Sequence, residues 1–468
     1  MNETQKTKSE KRNDLKGKRV LIVGFACTGL SIVRFLKKKG AIVTVTDSKP
    51  IGQLKGIQEV MGDPARRGEG IRVEAGGHPK EIFMDADLIV MSPGVPMTIE
   101  PVNEARKAGI DIMSEIELAY SFIDAPIIAV TGTNGKTTTT ALLGRVLRDA
   151  GKSLFVGGNI GTPLIEYAMG DESYDYAVAE VSSFQLEGIR RFRPFISVLL
   201  NITEDHMDRY RDFKEYAEAK FNIFRNQGEG DIAVVNIDDP AIREWIKDNG
   251  AGFKARVIPF SSRKMLSRGV YFTGKEIVYS KNGSSAVYPT AEFKLKGIHN
   301  IENIMAVIAV AKECGIDDNN ILNSVNNFSA LPHRVEFVRE LDGVLYYDDS
   351  KGTNIGALQK SLAGFEPPII LIAGGKDKGG DYKVLRDLVK EKVKLLILIG
   401  EARDKMKSAL GGCTEPLIAS SMEDAVREAY ENAEKGDIVL LSPACSSFDM
   451  FRDYKERGDV FRRLVEAL

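Results

Sequence analysis

The chain has 468 residues, about three times the length of a typical single domain, so two or three separate cores are expected. Hydrophobic residues make up 43% of the chain and charged residues 28%, which excludes a protein that stays disordered. The 64 Lys and Arg nearly balance the 66 Asp and Glu, for a formal net charge of -2, so no excess of positive charge indicates a nucleic-acid or membrane partner. Any anionic ligand must be held by a local site.

The cysteines and the N-terminus indicate a cytoplasmic protein. The four cysteines are far apart and form no CxxC pair, so neither a zinc cluster nor a disulfide framework is predicted. Residues 1–18 lack the apolar stretch of a signal peptide, and no run approaches the roughly 18 apolar residues of a membrane span. We therefore expect a cytoplasmic location and a flexible, charged tail at residues 1–18.

The first predicted domain covers residues 1–117. An apolar strand, a glycine-containing turn, an amphipathic helix and a second apolar strand form a βαβ unit. The turn from Gly24 to Gly29 nearly matches the dinucleotide fingerprint GxGxxG, and Asp47 ends the second strand, where a ribose-binding acid would lie. Ala26 replaces the second glycine, which disfavours NAD or a flavin and leaves a nucleotide-like ligand or plain βαβ packing.

The second predicted domain covers residues 118–331 and carries the strongest motif. A buried strand at 126–130 runs into the loop TGTNGKTT and then into a helix, so backbone N–H groups and the helix dipole favour a bound phosphate. Lys136 is placed to reach the β- and γ-phosphates of a nucleotide, and the Thr137 hydroxyl to ligate Mg²⁺. The loop is a shortened P-loop, because Val130 stands where the strict pattern has glycine. The predicted nucleotide-binding residues are Gly132, Thr133, Asn134, Gly135, Lys136, Thr137 and Thr138.

Three further side chains of this domain are candidates for metal binding or catalysis. Glu180 ends the strand YAVAE and can hold Mg²⁺, although a strand-end glutamate is more often solvated. His206 lies among acidic residues in NITEDHMDRY, which fits either a divalent-ion site or a solvated acidic loop. Lys220 falls on the margin of an apolar helical stripe, where a lysine usually extends to solvent but can also lose its proton and become reactive.

The remaining segments predict appended hairpins and a third domain. Short alternating runs at residues 252–297 are typical of hairpins added to the second domain. A third series of apolar runs and helices defines the third domain, residues 332–468, whose strands are followed by polar clusters. These clusters suit a doubly anionic substrate or the ribose and phosphates of ATP, although each alone could be turn chemistry. They carry Arg334, Asp349, Lys351, Thr353, Lys378 and Ser447.

The chain resembles the Mur ligases, the ATP-dependent amide-bond-forming enzymes of peptidoglycan precursor synthesis, over essentially everything after the tail. The resemblance rests on GTNGKTT, AEVSSFQLE, NITEDHMDRY, GIHNIEN, LPHRVE, DDSKGTN and SPACSSFDMF. It implies an α/β fold of three domains: a Rossmann-like UDP-binding domain, a central P-loop ATPase-like domain with an appended small sheet, and a C-terminal Rossmann-like domain. The implied activity is addition of D-glutamate to UDP-N-acetylmuramoyl-L-alanine through an acyl phosphate.

The resemblance also implies roles for residues at matching positions. The implied UDP-substrate contacts are Cys27, Thr28, Asp47, Ser48, Ser92 and Asn159. Asn300, Arg334 and Asp349 would complete the ATP site. The implied catalytic and metal-binding groups, for two magnesium ions, are Lys136, Thr137, Glu180, His206 and a CO₂-derived carbamate on Lys220. The implied D-glutamate contacts are Lys351, Thr353, Lys378, Ser447 and Tyr454, the last at a position where phenylalanine is familiar in the family.

Alternatives stay open at this point. The nearest is another amino-acid ligase of the wider superfamily, which includes folylpolyglutamate synthetase. A NAD-linked oxidoreductase built on the first βαβ unit and a non-catalytic nucleotide-binding protein are the others. For the activity that the resemblance implies, we expect the small-molecule substrates UDP-N-acetylmuramoyl-L-alanine and D-glutamate, a monomer, and neither a nucleic-acid nor a membrane partner.

Overall fold

The computed structural model describes residues 14–61, 71–250, 252–295, 297–329 and 331–468. Most of the predicted tail lies outside these residues. The described chain forms three successive α/β units, each built on its own sheet, so the predicted α/β class and the three domains are confirmed. None of the helices in the described segments is both long and apolar enough to cross a membrane.

The first sheet is entirely parallel. Its strands are β1 (Arg19–Val23), β2 (Ile42–Asp47), β3 (Arg72–Ala75), β4 (Leu88–Met91) and β5 (Asp111–Ser114), in the order β3-β2-β1-β4-β5. Strands β2 and β3 lie on one side of β1, and β4 and β5 lie on the other. The strand order therefore reverses between β1 and β4, which is where ligands bind in such folds. The helices are Cys27–Lys38, Gln58–Met61, Lys80–Met84, Glu100–Lys107 and Glu115–Tyr120, with a 3-10 turn at Ile51–Gln53.

The middle sheet has nine strands. They are β6 (Ile127–Thr131), β7 (Leu154–Gly158), β8 (Tyr176–Glu180), β9 (Ile196–Leu199), β10 (Ile232–Asn236), β11 (Arg256–Ser261), β12 (Gly269–Phe272), β13 (Glu276–Lys281) and β14 (Ser284–Pro289). Their order is β14-β13-β12-β11-β10-β9-β6-β8-β7. The predicted hairpins are present as the antiparallel strands β12 to β14. Because β12 pairs with β11, they extend the edge of the main sheet.

The order of the middle sheet positions the site. Strand β6, which leads into the P-loop, lies between β8 and β9, and all three strands run parallel. The residues that follow these strands therefore meet at one edge of the sheet. The helices of this unit are Lys136–Asp149, Leu164–Tyr167, Ser183–Glu187, Phe213–Phe221, Pro240–Asn249, Ile298–Glu313 and Asp318–Asn326, with a 3-10 turn at Asn222–Phe224.

The third sheet is parallel except for one edge strand. Its strands are β15 (Glu336–Leu341), β16 (Val344–Asp348), β17 (Ile369–Gly374), β18 (Val393–Ile399), β19 (Leu417–Ile418) and β20 (Ile438–Leu441), in the order β15-β16-β20-β17-β18-β19. Only β15 is antiparallel to its neighbour among the described strands of this sheet. The helices are Ile355–Ala363, Arg386–Lys392, Arg403–Leu410, Met422–Asn432 and Tyr454–Ala467, with a 3-10 turn at Tyr382–Leu385.

A buried carboxylate joins the first unit to the second. The helix Glu115–Tyr120 spans the predicted boundary at residue 117, and the Glu117 side chain is 1% exposed. Its two oxygens accept hydrogen bonds from three consecutive backbone N–H groups, those of Arg190, Arg191 and Phe192, at 2.8 to 2.9 Å. Phe192 is buried whereas Arg190 and Arg191 are exposed, so the carboxylate satisfies one donor that water cannot reach and two at the surface. Glu117 therefore ties the end of the first unit to the second.

Replacing Glu117 by alanine should lower the free energy of unfolding by about 2 kcal/mol, because the variant leaves the buried Phe192 N–H without an acceptor and removes two further hydrogen bonds. Chemical denaturation measures the change. The control is Glu59→Ala in the same unit, where a largely exposed carboxylate pairs with Arg34 and the expected change is below about 0.5 kcal/mol. Equal stability of the two variants would contradict this role of Glu117.

Candidate active site

The P-loop has the geometry of a phosphate cradle. It connects the end of β6 to the helix Lys136–Asp149, so the first N–H groups of the helix point to the loop. Gly135 precedes the helix with a φ of 86°, and a Cβ there would clash with the side chain of Asn303. A residue with a side chain could therefore not take this position without moving its neighbours.

Two lysines converge on the P-loop. The Lys136 Nζ donates to the carbonyl oxygens of Gly132 and Thr133, each at 2.8 Å, and the Lys220 Nζ donates to the same Gly132 carbonyl at 2.9 Å. Lys220 is only 2% exposed, which contradicts the interpretation that it extends to solvent. Burial lowers the pKa of both amines, and the charge of Lys136 lowers the pKa of Lys220 further, so Lys220 is held well below its ordinary value.

Glu180 offers an unpaired oxygen to this cleft. It ends β8, and its Oε1 accepts a hydrogen bond from Asn159 Nδ2 at 3.1 Å. Its Oε2 is buried and has no hydrogen-bond partner within the described part of the chain. A buried carboxylate oxygen without a donor is costly unless a cation is bound nearby, and carboxylate oxygens are the ligands Mg²⁺ prefers. The residues therefore fit a magnesium ion.

His206 lines the same cleft as Glu180, Lys136 and Thr137. Its backbone has a φ of 57°, in the left-handed region, and its ring packs edge-to-face on Phe184 with the centroids 4.8 Å apart. Burial lowers the pKa of His206 to about 4. The imidazole is therefore neutral at pH 7 and free to act as a metal ligand.

Asp205 and Asn354 belong to the cleft, although neither was among the predicted site residues. Asp205 Oδ1 accepts from the Lys378 Nζ at 3.1 Å, and Oδ2 accepts from Asn354 Nδ2 at 3.0 Å. Burial raises the pKa of Asp205, but the charge of Lys378 and these hydrogen bonds outweigh it and bring the pKa to about 2. Asn354 Nδ2 also donates to Asn134 Oδ1 at 3.2 Å. Both residues therefore connect the second unit to the third.

The signals for these two residues were ambiguous in sequence. Asp205 stood in an acidic loop that resembles a solvated one. Asn354 has the pattern of a helix N-cap, and it is one, since its Oδ1 accepts from the Ala357 N–H at 2.8 Å. The Asn354 side chain therefore caps the helix and also bonds the second unit. A local sequence pattern reveals the cap but not the contact between units.

The third unit supplies the opposite wall of the cleft. Arg334, Lys351, Thr353 and Lys378 all line it. Burial lowers the pKa of Lys351 to about 7, with Arg334 adding to the effect. A neighbouring cavity is lined by Asn134, Gly135, Thr138, His299, Asn300, Asn303, Arg334, Asp349 and Lys360, among others. The structure thus brings most of the predicted ATP residues to two adjoining cavities between the second and third units.

Asp349 is held rigidly at the edge of the second cavity. Its Oδ2 accepts from the hydroxyls of Ser361 and Ser442, at 2.6 and 2.8 Å. Burial raises the pKa of Asp349 to about 6. The two serines orient a carboxylate that carries negative charge at pH 7, as a ribose-binding acid requires.

Ser447 and Tyr454 are not among the residues that line these cavities. Ser447 is buried, and its carbonyl oxygen accepts from the Phe451 N–H at 2.8 Å. The Tyr454 ring lies 3.8 Å from the Lys351 Nζ, so Tyr454 reaches the cleft through that lysine. The predicted D-glutamate contacts of these two side chains stay predictions.

Tyr454→Phe should keep the KM for the amino-acid substrate within about twofold, because a phenyl ring preserves the face beneath Lys351. Tyr454→Ala removes that face and should raise this KM roughly fivefold. Steady-state kinetics with varied amino acid measure both. A loss of activity in Tyr454→Phe as large as in Tyr454→Ala would show that the hydroxyl group matters instead.

The predicted UDP residues form a separate cluster at the carboxyl edge of the first sheet. Ser92 Oγ donates to the Gly24 carbonyl at 2.7 Å. Asp47 accepts from the N–H groups of Phe25 and Lys49, at 2.7 and 2.8 Å, so both of its oxygens hold the surrounding turns. Cys27, Thr28 and Ser48 lie beside these turns, with Cys27 and Ser48 exposed. Of the predicted UDP-substrate residues, Asn159 alone lines the cleft around the P-loop.

This arrangement fits a nucleotide-dependent ligase: there are three sheets, a P-loop with a buried lysine beside it, and a cleft closed by the third unit. The chain belongs to the Mur ligase family. Three family models match: the MurD-like N-terminal domain of Mur ligases at residues 18–114, the Mur ligase middle domain at 130–311, and the Mur ligase glutamate ligase domain at 333–445.

Curated relatives are similar over nearly the whole chain. The UDP-N-acetylmuramoylalanine--D-glutamate ligases of Geotalea uraniireducens and Geotalea daltonii are each 50% identical over 455 residues, which is 97% of this chain and 98% of each relative. The enzyme of the same name from Syntrophotalea carbinolica is 48% identical over 97% of this chain and 99% of its own length.

Solved structures share the fold. A pseudomurein peptide ligase type C from Methanothermus fervidus has a TM-score of 0.60 at 20% identity, over 96% of this chain and 100% of that one. MurF from Acinetobacter baumannii has a TM-score of 0.61 at 15% identity, over 97% and 92%. MurF from Thermotoga maritima, solved in complex with ADP, has a TM-score of 0.59 at 17% identity, over 97% of both chains.

Proposed function

We propose that this chain is an ATP-dependent ligase that adds D-glutamate to UDP-N-acetylmuramoyl-L-alanine in the synthesis of peptidoglycan precursors. The observation that carries the proposal is the cleft in which the P-loop lysine, the unpaired Glu180 oxygen and the lysines of the third unit meet. The choice of substrates is supported by relatives of that name at 50% identity over almost the full chain.

The cleft suits phosphoryl transfer followed by amide formation. A carboxylate is a poor electrophile, so an oxygen of the alanyl carboxylate attacks the γ-phosphorus of ATP, giving an acyl phosphate and ADP. The amine of D-glutamate then attacks the acyl carbon, and phosphate leaves from the tetrahedral intermediate as the amine loses a proton. Lys136 offsets the charge of the transferring phosphoryl group. The second and third units enclose the reaction and limit hydrolysis of the acyl phosphate.

The ATP site in this proposal spans the two cavities. The P-loop from Gly132 to Thr138 binds the phosphates, Asn300 lies toward adenine, and Arg334 and Asp349 complete the site from the third unit. Magnesium, when bound, neutralises the phosphate oxygens. Thr137, Glu180 and His206, which all line the cleft, would hold it, and the proposal includes two such ions.

Lys220 becomes carbamylated in this proposal. Burial holds the pKa of its amine well below the ordinary value, which enlarges the unprotonated fraction, the form that attacks CO₂. Bond formation between Nζ and the carbon of CO₂ releases one proton and leaves a carboxylate-like group beside the P-loop. This group would give Lys220 oxygen atoms that can ligate magnesium, which the amine lacks.

The two organic substrates take opposite ends of the proposed site. The UDP portion binds at the turns that carry Cys27, Thr28, Asp47, Ser48 and Ser92, with Asn159 toward the muramoyl group. The proposed D-glutamate contacts are Lys351, Thr353, Lys378, Ser447 and Tyr454. In this proposal the units 1–117, 118–331 and 332–468 each bind one ligand. The protein acts as a monomer in the cytoplasm.

A purified-protein assay tests the function. The protein is given ATP, Mg²⁺ and UDP-N-acetylmuramoyl-L-alanine, and ADP formation is compared for D-glutamate, L-alanine and L-lysine, with folate plus L-glutamate as a separate reaction. Turnover only with D-glutamate supports the proposal. Preference for any of the other pairs would assign the chain to another ligase of the superfamily.

A further inference from the structure

Arg209 follows His206 closely in the chain and lies between two units. The N–H groups of Arg209 and Tyr210 both donate to the His206 carbonyl, at 2.9 and 3.1 Å, which forms a tight turn after the cleft histidine. The Arg209 side chain is 13% exposed, far less than a surface arginine. Neither the sequence motifs nor the proposed mechanism gives this side chain a role.

One end of Arg209 holds the first unit. Its Nη1 donates to the Pro93 carbonyl at 2.8 Å and its Nη2 to the Val95 carbonyl at 3.4 Å. The segment 92–95 packs on the turn at Gly24, because Ser92 Oγ donates to the Gly24 carbonyl and a Cβ on Gly24 would lie 2.8 Å from Val95 Cγ2. Arg209 thus hydrogen-bonds the segment that packs against the proposed UDP-binding turn.

The flat face of the same guanidinium packs on the cleft. Its central carbon lies 3.8 Å from the centre of the Phe184 ring, and Phe184 in turn packs against His206. Both of these aromatic side chains line the cleft around the P-loop. Glu187 anchors the arrangement, since one of its oxygens lies 3.3 Å from Arg209 Nη2 and the other accepts from the Tyr210 hydroxyl at 2.5 Å.

We propose that Arg209 is a positioning residue that sets the distance between the UDP-substrate turn and the phosphoryl-transfer cleft. This inference rests on the proposed function. The guanidinium bonds two carbonyls along its edge while its face covers an aromatic ring, a combination that the point charge of lysine cannot reproduce. A displacement of about 1 Å between a bound carboxylate and the γ-phosphate is enough to slow transfer on the order of a hundredfold.

The test compares Arg209→Lys and Arg209→Gln with wild type. The matched control is Arg211→Gln, two residues further on, where the side chain is 82% exposed and pairs with Asp212. For the Arg209 variants we expect the KM for UDP-N-acetylmuramoyl-L-alanine to rise roughly tenfold and kcat to fall. The affinity for ATP alone and the KM for D-glutamate should stay unchanged, and the Arg211 variant should match wild type.

Two results would overturn the inference. The first is an unchanged KM for the UDP substrate in a variant with the wild-type melting temperature. The second is an equal rise in KM for the UDP substrate, ATP and D-glutamate, which indicates a general structural defect. If both Arg209 variants fail to fold, Glu187→Gln is compared with wild type in the same kinetic measurements. This change weakens the contact of Glu187 with Arg209 and keeps the arginine itself. If wild type does not ligate D-glutamate, the proposed function fails, and calorimetric binding of the UDP substrate to the variants still tests the coupling.

Discussion

Lys136→Ala should reduce ADP formation on the order of a thousandfold. Lys136 is the cation of the P-loop, held between the Gly132 and Thr133 carbonyls at the start of the helix. Its charge is needed most when negative charge builds up on the transferring phosphoryl group, so its loss affects the transition state more than the bound nucleotide. Coupled measurement of ADP release, with the three substrates present, gives the change in kcat.

The control for this variant lies on the same helix. Arg145 is exposed, pairs with Asp149 one turn later, and has no contact with the cleft, so Arg145→Ala should turn over like wild type. Binding of an ATP analogue to Lys136→Ala, measured by calorimetry, separates loss of affinity from loss of catalysis. Near-normal turnover of Lys136→Ala would show that the loop is not the phosphate site.

Lys220→Arg should lower activity on the order of a hundredfold, although arginine is also a long basic side chain. An arginine stays protonated and cannot take up CO₂, whereas the buried Lys220 amine has its pKa lowered well below the ordinary value. The sign of the shift matters. A lower pKa enlarges the neutral fraction of the amine at pH 7, and only the neutral amine attacks CO₂.

Depletion of CO₂ provides an independent measurement on the wild-type protein. ADP formation should fall in degassed, bicarbonate-free buffer and recover when bicarbonate is added, and isotopically labelled bicarbonate should give a carbamate signal by NMR that Lys220→Arg lacks. The control is Lys214→Arg on the same helix, where the lysine is almost fully exposed. Full activity of Lys220→Arg would rule out the carbamate.

Much of the fold could be predicted because its signals are local. The apolar runs that became β1, β4, β6 and β8 are parallel strands covered on both faces, and such strands are apolar at consecutive positions. The hairpins after residue 252 were equally visible in the alternation of their residues. That they continue the nine-stranded sheet was not visible, because strand pairing between distant segments depends on tertiary packing.

The candidate site divides in the same way. The P-loop is one contiguous segment in which strand, glycine loop, lysine and helix follow each other, so its chemistry can be inferred without a fold. Lys220 lies 84 residues after Lys136 in the numbering, and its pattern alone favoured a solvent-exposed lysine. A buried, reactive amine was the less favoured alternative until the family resemblance supported it, and the structure then placed both lysines on the Gly132 carbonyl.

The sequence by itself determined the α/β class, the three units, the phosphate loop and, through its motifs, the family. The tertiary structure decided which side chains act together: Asp205 with Lys378 and Asn354, the unpaired oxygen of Glu180, and the contact of Arg209 with the first unit. The physical reason is the sequence distance over which each interaction acts. Helix, strand and loop preferences depend on residues a few positions apart, whereas burial, charge pairing and pKa depend on neighbours that only the folded chain brings together.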